Sequence, residues 1–434
     1  WALDFMAPDG LLIDFGDSWA KRGWYSFTGL TMMLVNEGYL DAPSEPEPCA
    51  VQRFFSNKYY YHGMTDPWRT SPLLARDWYS VVEDCDLSQQ DGQVEISVHP
   101  DGGWGGIRSI QVGATELAKT ESHSQRFTQA DHTFLAVSAV PSSFIHTELD
   151  FGSIVWSAYG NRLLADSGYG DLNSNRYETE PDHPPDQNPT GHNTLVIPEA
   201  LVDEDASTNS SQIEDEVGVM EKVQIGSKET IHLDGAVVYG RDNQDLGWLR
   251  TFDRWLLEVG DGNFLVVDTF AVREDRETAM VEERWHLYAS DPIPTDCDDR
   301  SAHAESSYDA TKIDILPVCS MLEKTVSSSQ GRIVASSLQP GSFVKDPPVT
   351  FTNRLNGLEH RTRYRYVPDD PVDTDIRLFA LLSSPVGQAL PDASYTWTSC
   401  GAGQCVEISL PSGVWTLSFS WLDERWVLTD IAEP

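Results

Sequence analysis

The sequence predicts a mainly β protein: a large antiparallel β-sandwich in two parts, preceded by a short helical segment. From about residue 97 onward, short stretches alternate apolar and polar residues, as in DHTFLAVSAV (131–140) and VWTLSFSW (414–421). Such alternation is typical of strands with one buried face, because successive side chains point to opposite sides. Turns rich in Gly, Asp, Asn and Pro separate these stretches over more than 300 residues. The 14 Trp, 15 Tyr and 16 Phe provide large apolar side chains for a packed core.

The first 95 residues have a different pattern. YSFTGLTMMLVNEGYL (25–40) and SPLLARDWYSVV (71–82) space their apolar residues as helices do, and PSEPEP (43–48) interrupts them. Two or three helices of this kind bury too little surface to close a domain alone. We therefore expect three regions, namely a helical segment at 1–95, a central β-sandwich at 96–290 and a C-terminal β-sheet domain at 291–434.

The chain is strongly acidic, since 68 Asp and Glu residues against 30 Lys and Arg give a formal net charge of -38. In about 1 M salt the Debye length falls to roughly 3 Å, so the self-repulsion of a carboxylate-coated surface largely vanishes. The charge thus indicates adaptation to a hypersaline medium. It disfavours nucleic acid as a partner, because the sequence has no basic stripe of the size that such binding needs.

Several features favour an extracellular protein without a membrane span. No apolar run approaches the roughly 20 residues of a membrane-spanning helix. Because the chain starts at Trp1, we expect a mature product or a fragment. Disulfides would fit an oxidising location, whereas the alternative is six buried thiols. By nearness in sequence, the expected pairs are Cys49–Cys85, Cys297–Cys319 and Cys400–Cys405.

The stretch IHTELDFGS (145–153) carries the first candidate site. As a strand it would place His146, Glu148 and Asp150 on one face, since residues i, i+2 and i+4 point the same way. Two neighbouring carboxylates repel each other unless a metal, a proton or a basic group lies between them. This pattern therefore indicates proton or metal chemistry.

Two further motifs add candidate metal ligands. LLADSGYG (163–170) places Asp166 at the end of a strand, and GHNTLVI (191–197) places His192 at the start of another. Together with Glu148 they form a mixed oxygen and nitrogen ligand set, which zinc accepts. The alternative is a hydrogen-bonded polar cluster without a metal.

Four ordered motifs resemble the heparinase II/III-like polysaccharide lyases, a family that includes alginate lyases. They are HPDGGWGGIRS (99–109), ADHTFLAV (130–137), IHTELDFGSIVWSAYGNRLLADSGYG (145–170) and GHNTLVI (191–197). Members of the family resemble one another through a His-x-His-x-Asp strand, a strand ending in Asp-x-Gly and a His-Asn-Thr strand, in this order. PDGLLIDFGDSW (8–19) and RWHLYAS (284–290) extend the resemblance over most of residues 8–290.

The resemblance implies roles for the site residues. His146 matches the family's first strand histidine, which takes part in proton transfer, while Asp166 and His192 match two zinc ligands. Glu148 stands where many members have a further metal-binding His. A carboxylate at this position shifts the preference toward harder cations, so the implied cofactor is zinc or another divalent cation such as calcium.

The resemblance also implies that residues 1–95 are the end of an α/α toroid. In the family, the middle of the toroid supplies a catalytic Tyr and an Asn or His, and these have no counterpart in this sequence. We therefore expect a separate N-terminal toroid chain or self-assembly to supply them, or else a protein that no longer catalyses.

The implied reaction is β-elimination at a uronic acid, which needs a partner for the carboxylate, a base for the C5 proton and an acid for the leaving oxygen. Arg is suited to the carboxylate because its planar fork binds two oxygens. The candidates are Arg108, Arg176 and, on one face of EHRTRYRYV (359–367), Arg361, Arg363 and Arg365. The alternative for each is an ion pair with the protein's own carboxylates.

Two functions follow from these patterns. The first is a secreted, salt-adapted lyase that cleaves an acidic, uronate-containing polysaccharide. The second is a non-catalytic extracellular surface, assembly or glycan-binding protein that retains the lyase β scaffold. Glu148 in place of His and the missing toroid residues favour the second.

Overall fold

The predicted β class is confirmed. The computed structural model describes residues 91–111, 132–139, 149–159, 161–166, 189–201, 212–213, 216–240, 247–287, 303–320, 325–326, 329–347, 349–352, 358–385 and 387–434. Within these residues the helical elements are three short 3-10 turns, at Pro100–Gly102, Pro189–Gly191 and Pro198–Leu201. Most of the predicted helical segment 1–95 lies outside the described residues.

The described strands are named in chain order. They are β1 Val94–His99, β2 Trp104–Ile110, β3 His132–Ser138, β4 Ile154–Ala158, β5 Asn161–Leu164, β6 Leu195–Val196, β7 Val219–Ile225, β8 Lys228–Asp234, β9 Leu249–Glu258, β10 Phe264–Val272, β11 Glu282–His286, β12 His303–Tyr308, β13 Lys312–Ser320, β14 Thr325–Val326, β15 Ser329–Ser337, β16 Gly341–Lys345, β17 Val349–Thr352, β18 Leu358–Arg361, β19 Arg363–Pro368, β20 Thr374–Pro385, β21 Ser394–Cys400, β22 Gly403–Leu410, β23 Gly413–Leu422 and β24 Arg425–Ala432.

The first sheet is an antiparallel meander in which β1 to β5 lie in chain order. Neighbouring residues of β3 enter different apolar clusters: Leu135 packs into the largest core, and Phe134 packs with Ala136 and Val155 into a small one. Because consecutive side chains of a strand point to opposite faces, apolar packing covers both sides of this sheet. The buried residues at the ends of β4 and β5 lead directly into the candidate site.

A nine-stranded sheet forms the middle layer, in the order β12-β13-β15-β20-β10-β9-β8-β7 with β14 paired to β13. It combines β9 and β10, which precede residue 290, with β13, β15 and β20, which follow it. On one face, Leu256 and Val266 join the core shared with the meander and with the sheet β16-β19-β11-β6. On the other face, Leu257 and Leu265 pack against the C-terminal sheet β21-β22-β23-β24. Strands β9 and β10 are therefore buried on both faces.

The arginine-rich stretch 359–367 forms two strands rather than one continuous strand. Arg361 ends β18, which pairs with β17, whereas Arg363 begins β19, which pairs with β16 and β11. Thr362 separates them and is buried, and its carbonyl accepts a hydrogen bond from the backbone N–H of Leu287 at 2.9 Å. This bond continues the ladder of β19 and β11, in which Arg363 lies opposite His286, whereas Arg361 pairs with Val349 of β17, so the two arginines belong to different sheets.

One of the three expected disulfides lies within the described part of the chain. A disulfide joins Cys400 to Cys405 across the hairpin of β21 and β22, as expected. Cys49, Cys85 and Cys297 lie outside the described residues, so the other two pairings stay predictions. Among the described residues, no helix is long and apolar enough to cross a membrane.

Candidate active site

Two buried segments meet where the meander joins the sheet containing β6 and β11. Asp166 lies two residues beyond the end of β5, and Leu164 makes an isolated bridge to Leu287 just after β11. His192 follows the 3-10 turn Pro189–Gly191, and its N–H donates to the carbonyl of Pro189 at 3.2 Å. The motifs that predicted these residues at strand ends therefore place both at one junction.

Asp166 and His192 are in direct contact. Nδ1 of His192 lies 2.8 Å from Oδ1 of Asp166, and neither side chain is exposed. The hydroxyl of Ser153 donates to Oδ2 of the same carboxylate. The backbone N–H of Asn193 in turn donates to the Ser153 hydroxyl at 3.0 Å. The carboxylate is thus held from both sides, which fixes the imidazole beside it.

The Asn193 side chain forms hydrogen bonds from this junction to three neighbouring segments. Its side-chain amide donates to the carbonyls of Ile154 at 2.7 Å and Ala165 at 2.8 Å. Its amide oxygen accepts the backbone N–H of His286 at 2.6 Å, and Nδ1 of His286 lies 3.2 Å away. Because each of these groups is buried, the amide satisfies polar backbone atoms that have no access to bulk water.

A second cluster of buried polar side chains forms hydrogen bonds to the turn at Phe151, which precedes β4. The Thr194 hydroxyl donates to the carbonyl of Phe151 at 2.6 Å, and Gln212 bonds both the N–H and the carbonyl of Phe151. The Tyr239 hydroxyl donates to the carbonyl of Leu195 at 2.7 Å. Burial raises the pKa of Tyr239 above its ordinary value, so this phenol stays protonated and acts as a structural donor.

The stretch that first indicated a site is described from residue 149 onward. It forms a turn that leads into β4, in which Gly152 has φ +79 and Asp150 accepts a hydrogen bond from the Ser138 hydroxyl. The expectation that Asp150 continues a regular strand was therefore wrong, because the left-handed backbone at Gly152 turns the chain. His146 and Glu148 lie outside the described residues, and their convergence with Asp166 and His192 stays a prediction.

The predicted arginines lie in different environments. Arg176 and the side chain of Arg361 lie outside the described part of the chain. Arg108 is 7% exposed in β2, with its guanidinium 5.0 Å from the ring centre of Phe134. Arg363 lies opposite His286 in the register of β19 and β11.

Arg365 belongs to a closed ring of ion pairs. Its guanidinium contacts Glu282 at 2.7 Å and Asp346 at 2.7 Å, and Arg284 contacts the same two carboxylates at 2.7 and 3.0 Å. Two positive and two negative charges therefore balance within the ring. This is the arrangement expected from the alternative interpretation, in which Arg365 pairs with the protein's own carboxylates.

The donors at the junction fit a cation in type, although the described residues do not complete a site. Asp166 offers a carboxylate oxygen and His192 an imidazole nitrogen, the two kinds of donor that zinc accepts. Among the described residues, no group of three or more His, Cys, Asp or Glu side chains could hold a metal ion. Glu148, the third predicted ligand, lies outside those residues.

Sequence reasoning missed several residues that build the junction. Ser153 and Asn193 lie within the motifs 145–170 and 191–197, and their polarity at the edge of apolar strands was the available signal. Arg254 lies in the apolar stretch TFDRWLL (251–257), where a guanidinium between Phe252 and Trp255 indicates a buried charge with fixed partners.

Comparison with known proteins relates this architecture to one family. Residues 77–332, more than half of the chain, match the family model described as heparinase II/III-like, C-terminal. No curated protein matches the chain.

Solved structures share the fold at low sequence identity. The crystal structure of heparan sulfate lyase HepC from Pedobacter heparinus is 12% identical, with a TM-score of 0.56, covering 96% of this chain and 51% of that one. A crystal structure of heparinase III is 14% identical, with a TM-score of 0.57 and coverage of 97% and 52%. The chain thus spans about half the length of the solved structures that it matches. The resemblance seen in the motifs is confirmed, and the chain belongs to the heparinase II/III-like family.

Proposed function

We propose that this chain is the β-rich part of a polysaccharide lyase that cleaves an acidic, uronate-containing polysaccharide by β-elimination. The observation that carries the proposal is the family match over residues 77–332, within which the chain brings Asp166 and His192 into buried contact. Both solved neighbours are likewise heparinase-type proteins, one of them a heparan sulfate lyase.

In the proposed reaction, this chain and a proposed N-terminal toroid would each supply catalytic groups. His146 is proposed to transfer a proton, because an imidazole with a pKa near the working pH suits that task. Arg108, Arg176, Arg361 and Arg363 are the candidate partners of the substrate carboxylate. Arg365 is less suited, since Glu282 and Asp346 already engage its guanidinium.

We further propose that Glu148, Asp166 and His192 hold a divalent cation. A buried carboxylate and a buried imidazole at one junction support the site, since loss of the proton that Nδ1 of His192 and Oδ1 of Asp166 share would free both atoms for a cation. The Ser153 hydroxyl orients the carboxylate, as partners behind metal ligands commonly do. The imidazole favours zinc over calcium, which takes oxygen ligands. A bound cation would neutralise the acidic side chains and fix the segments that carry them.

The proposed enzyme is extracellular and works in concentrated salt. The formal net charge of -38 supports high salt, because screening removes most of the self-repulsion at about 1 M. The Cys400–Cys405 disulfide supports an oxidising compartment. Since this chain spans about half of each solved neighbour, we propose that an N-terminal toroid, on a separate chain or in an assembly, supplies the remaining catalytic groups.

Full-length protein in high salt should be incubated with alginate, heparinoids and ulvan while the ultraviolet absorbance of an unsaturated uronate is recorded. We expect absorbance to rise with at least one polymer, and His146→Ala to abolish the rise. Arg332→Gln is the control, since Arg332 already pairs with Asp314 within the nine-stranded sheet. No rise with any of these polymers would overturn the proposed activity.

The second candidate is a non-catalytic glycan-binding or assembly protein on the same scaffold. The observation that favours it is Glu148 at a position where many family members have His. It predicts retention of one of these polymers by the protein without any unsaturated product. The metal content of the same preparation, determined by elemental analysis, tests the cation site separately.

A further inference from the structure

Arg254 is buried between two sheets and uses its whole hydrogen-bonding capacity. It lies in the middle of β9, 1% exposed, on the face that carries Leu256 into the largest core. A buried guanidinium is costly unless every donor is satisfied. Arginine has five N–H donors in a rigid fork, and the neighbours of Arg254 offer five acceptors.

Three of the five contacts go to carboxylates. Nε contacts Asp268 at 2.6 Å, and Nη2 contacts Asp268 at 2.7 Å and Glu283 at 2.9 Å. Burial alone would lower the pKa of Arg254, but the two carboxylates outweigh it and raise the pKa above its ordinary value. The guanidinium therefore stays charged, and β10 and β11 hold it in one orientation.

The other two contacts reach the candidate site. Nη1 donates to the carbonyl of Gly152 and, at 3.3 Å, to the carbonyl of Asn193. Gly152 precedes Ser153, whose hydroxyl donates to Asp166, and Asn193 follows His192. One nitrogen thus joins the two segments that meet at the Asp166 carboxylate.

The backbone at Gly152 is shaped for this approach. Its φ is +79, and a Cβ atom there would lie 3.2 Å from Oγ1 of Thr194 and 3.5 Å from Nη1 of Arg254. A residue with a side chain would be strained in this conformation and would crowd the junction. Glycine lets the carbonyl of residue 152 turn toward the guanidinium.

We infer that Arg254 is a positioning residue that sets the distance between Ser153 and His192. It thereby fixes the Asp166 carboxylate between these two residues, in the position required of the proposed cation ligand. The part of this inference that concerns catalysis rests on the proposed function. Positive charge alone does not explain the arrangement, because Asp268 and Glu283 would be balanced equally well by lysine. The planar fork, which engages carboxylates on one side and two carbonyls on the other, is what arginine adds.

The test compares Arg254→Lys with Leu256→Ala in the full-length protein. Leu256 lies on the same face of β9 and in the same core, and its apolar side chain makes none of these hydrogen bonds. Lysine keeps the charge but has three donors on a compact ammonium. Two measurements are made: kcat and KM on the polymer that wild type cleaves, and amide hydrogen exchange in peptides covering 149–159 and 189–197.

For Arg254→Lys we expect kcat to fall at least tenfold with KM within twofold, since a displacement of about 1 Å can cost roughly a hundredfold in rate. Exchange should accelerate in both peptides, more than in Leu256→Ala at matched global stability. Equal acceleration in the two variants, or full activity in Arg254→Lys, would overturn the inference.

Two further outcomes are also decisive. If wild type cleaves no polymer, the proposed function fails, and the exchange comparison alone decides whether Arg254 positions the junction. If Arg254→Lys does not fold, Asp268→Asn takes its place. This variant keeps Arg254 but weakens the contacts of its Nε and Nη2 atoms with residue 268. Unchanged exchange in both peptides of a folded Asp268→Asn protein would count against the inference.

Discussion

The imidazole of His192 lies 2.8 Å from the carboxylate of Asp166, at a junction where both side chains are shielded from solvent. The carboxylate also accepts a hydrogen bond from Ser153, so its two oxygens have different partners. An isolated buried carboxylate would be costly, whereas this one is fixed by donors from two separate segments.

Replacing Asp166 by Asn keeps the shape of the side chain but removes the charge and one acceptor. We expect the free energy of unfolding to fall by about 1.5 to 3 kcal/mol, the range for hydrogen bonds to charged groups. We also expect any zinc content of the purified protein to fall. Urea denaturation and elemental analysis check the two effects, and unchanged zinc would remove Asp166 from the proposed ligand set.

Asn193→Asp should disrupt the junction although the two side chains are nearly identical in size. The Asn193 amide donates to the carbonyls of Ile154 and Ala165, and a carboxylate would instead repel both. We expect a loss of about 2 to 4 kcal/mol in unfolding free energy. Gln224→Glu, on the exposed surface of β7, adds the same charge and serves as the control for acidity alone.

Glu283→Gln should change how stability depends on pH. Burial raises the pKa of Glu283 well above its ordinary value of 4.5, and the nearby Asp268 charge raises it further. The unfolded chain therefore loses the Glu283 proton at a lower pH than the folded protein does. The free energy of unfolding falls as pH rises from about 4.5 through the folded pKa.

The Gln variant carries no such proton, so its unfolding free energy should decline less over that range. Denaturant titrations at several pH values above 4.5 measure the slope, with Glu407→Gln as an exposed control that also removes one acidic group. Parallel slopes for wild type and Glu283→Gln would contradict this account.

His232 should stabilise the protein most at low pH. Burial lowers its pKa, but hydrogen bonds to Asp253 at 2.9 Å and Glu221 at 3.3 Å outweigh burial and raise it above 6.5. The stabilisation is present below about pH 6.5 and is lost as pH rises through the folded pKa.

We expect His232→Gln to cost about 1 to 2 kcal/mol at pH 6 and less at pH 9. Thermal unfolding at the two pH values checks this difference. An equal cost at both values would mean that the stacking of His232 on Trp255, with ring centres 5.1 Å apart, is what matters.

The Cys400–Cys405 disulfide closes a short loop, with a sequence separation of five residues. The chain-entropy model gives about 2 kcal/mol for a loop of this length. We expect the Cys400→Ser/Cys405→Ser double variant to lose about that much, measured by denaturant unfolding without reductant. A loss near zero would show that the hairpin of β21 and β22 is fixed by its ladder alone.

The sequence predicted the β class because many strands keep one face toward a core, as the alternating burial of β23 shows. It predicted a strand at NFLVVDTF (263–270), which is β10, but not its place in a middle layer, because an apolar run without alternation does not tell which sheets cover its two faces. It also predicted one shared face for Arg361, Arg363 and Arg365, whereas Arg361 pairs with Val349 of β17 and the other two arginines lie in β19.

For the site, the sequence predicted that Asp166 and His192 lie at strand ends, and the structure brings them together. It did not predict the contacts of Arg254, whose acceptors Gly152 and Asn193 lie 102 and 61 residues away along the chain. No local pattern encodes such distant pairings, because they depend on how the two sheets pack.

The order of strands in the middle layer affects how the protein must be made. Strand β10 pairs with β20, so that Phe264 lies opposite Leu381. At roughly 5 to 20 residues per second, a ribosome needs about 6 to 23 seconds to complete the chain between these two partners. During that interval the backbone edge of FLVVDTFAV that pairs with β20 has no partner strand. Nascent β10 is thus the segment of the described chain where we expect premature association and a need for chaperones.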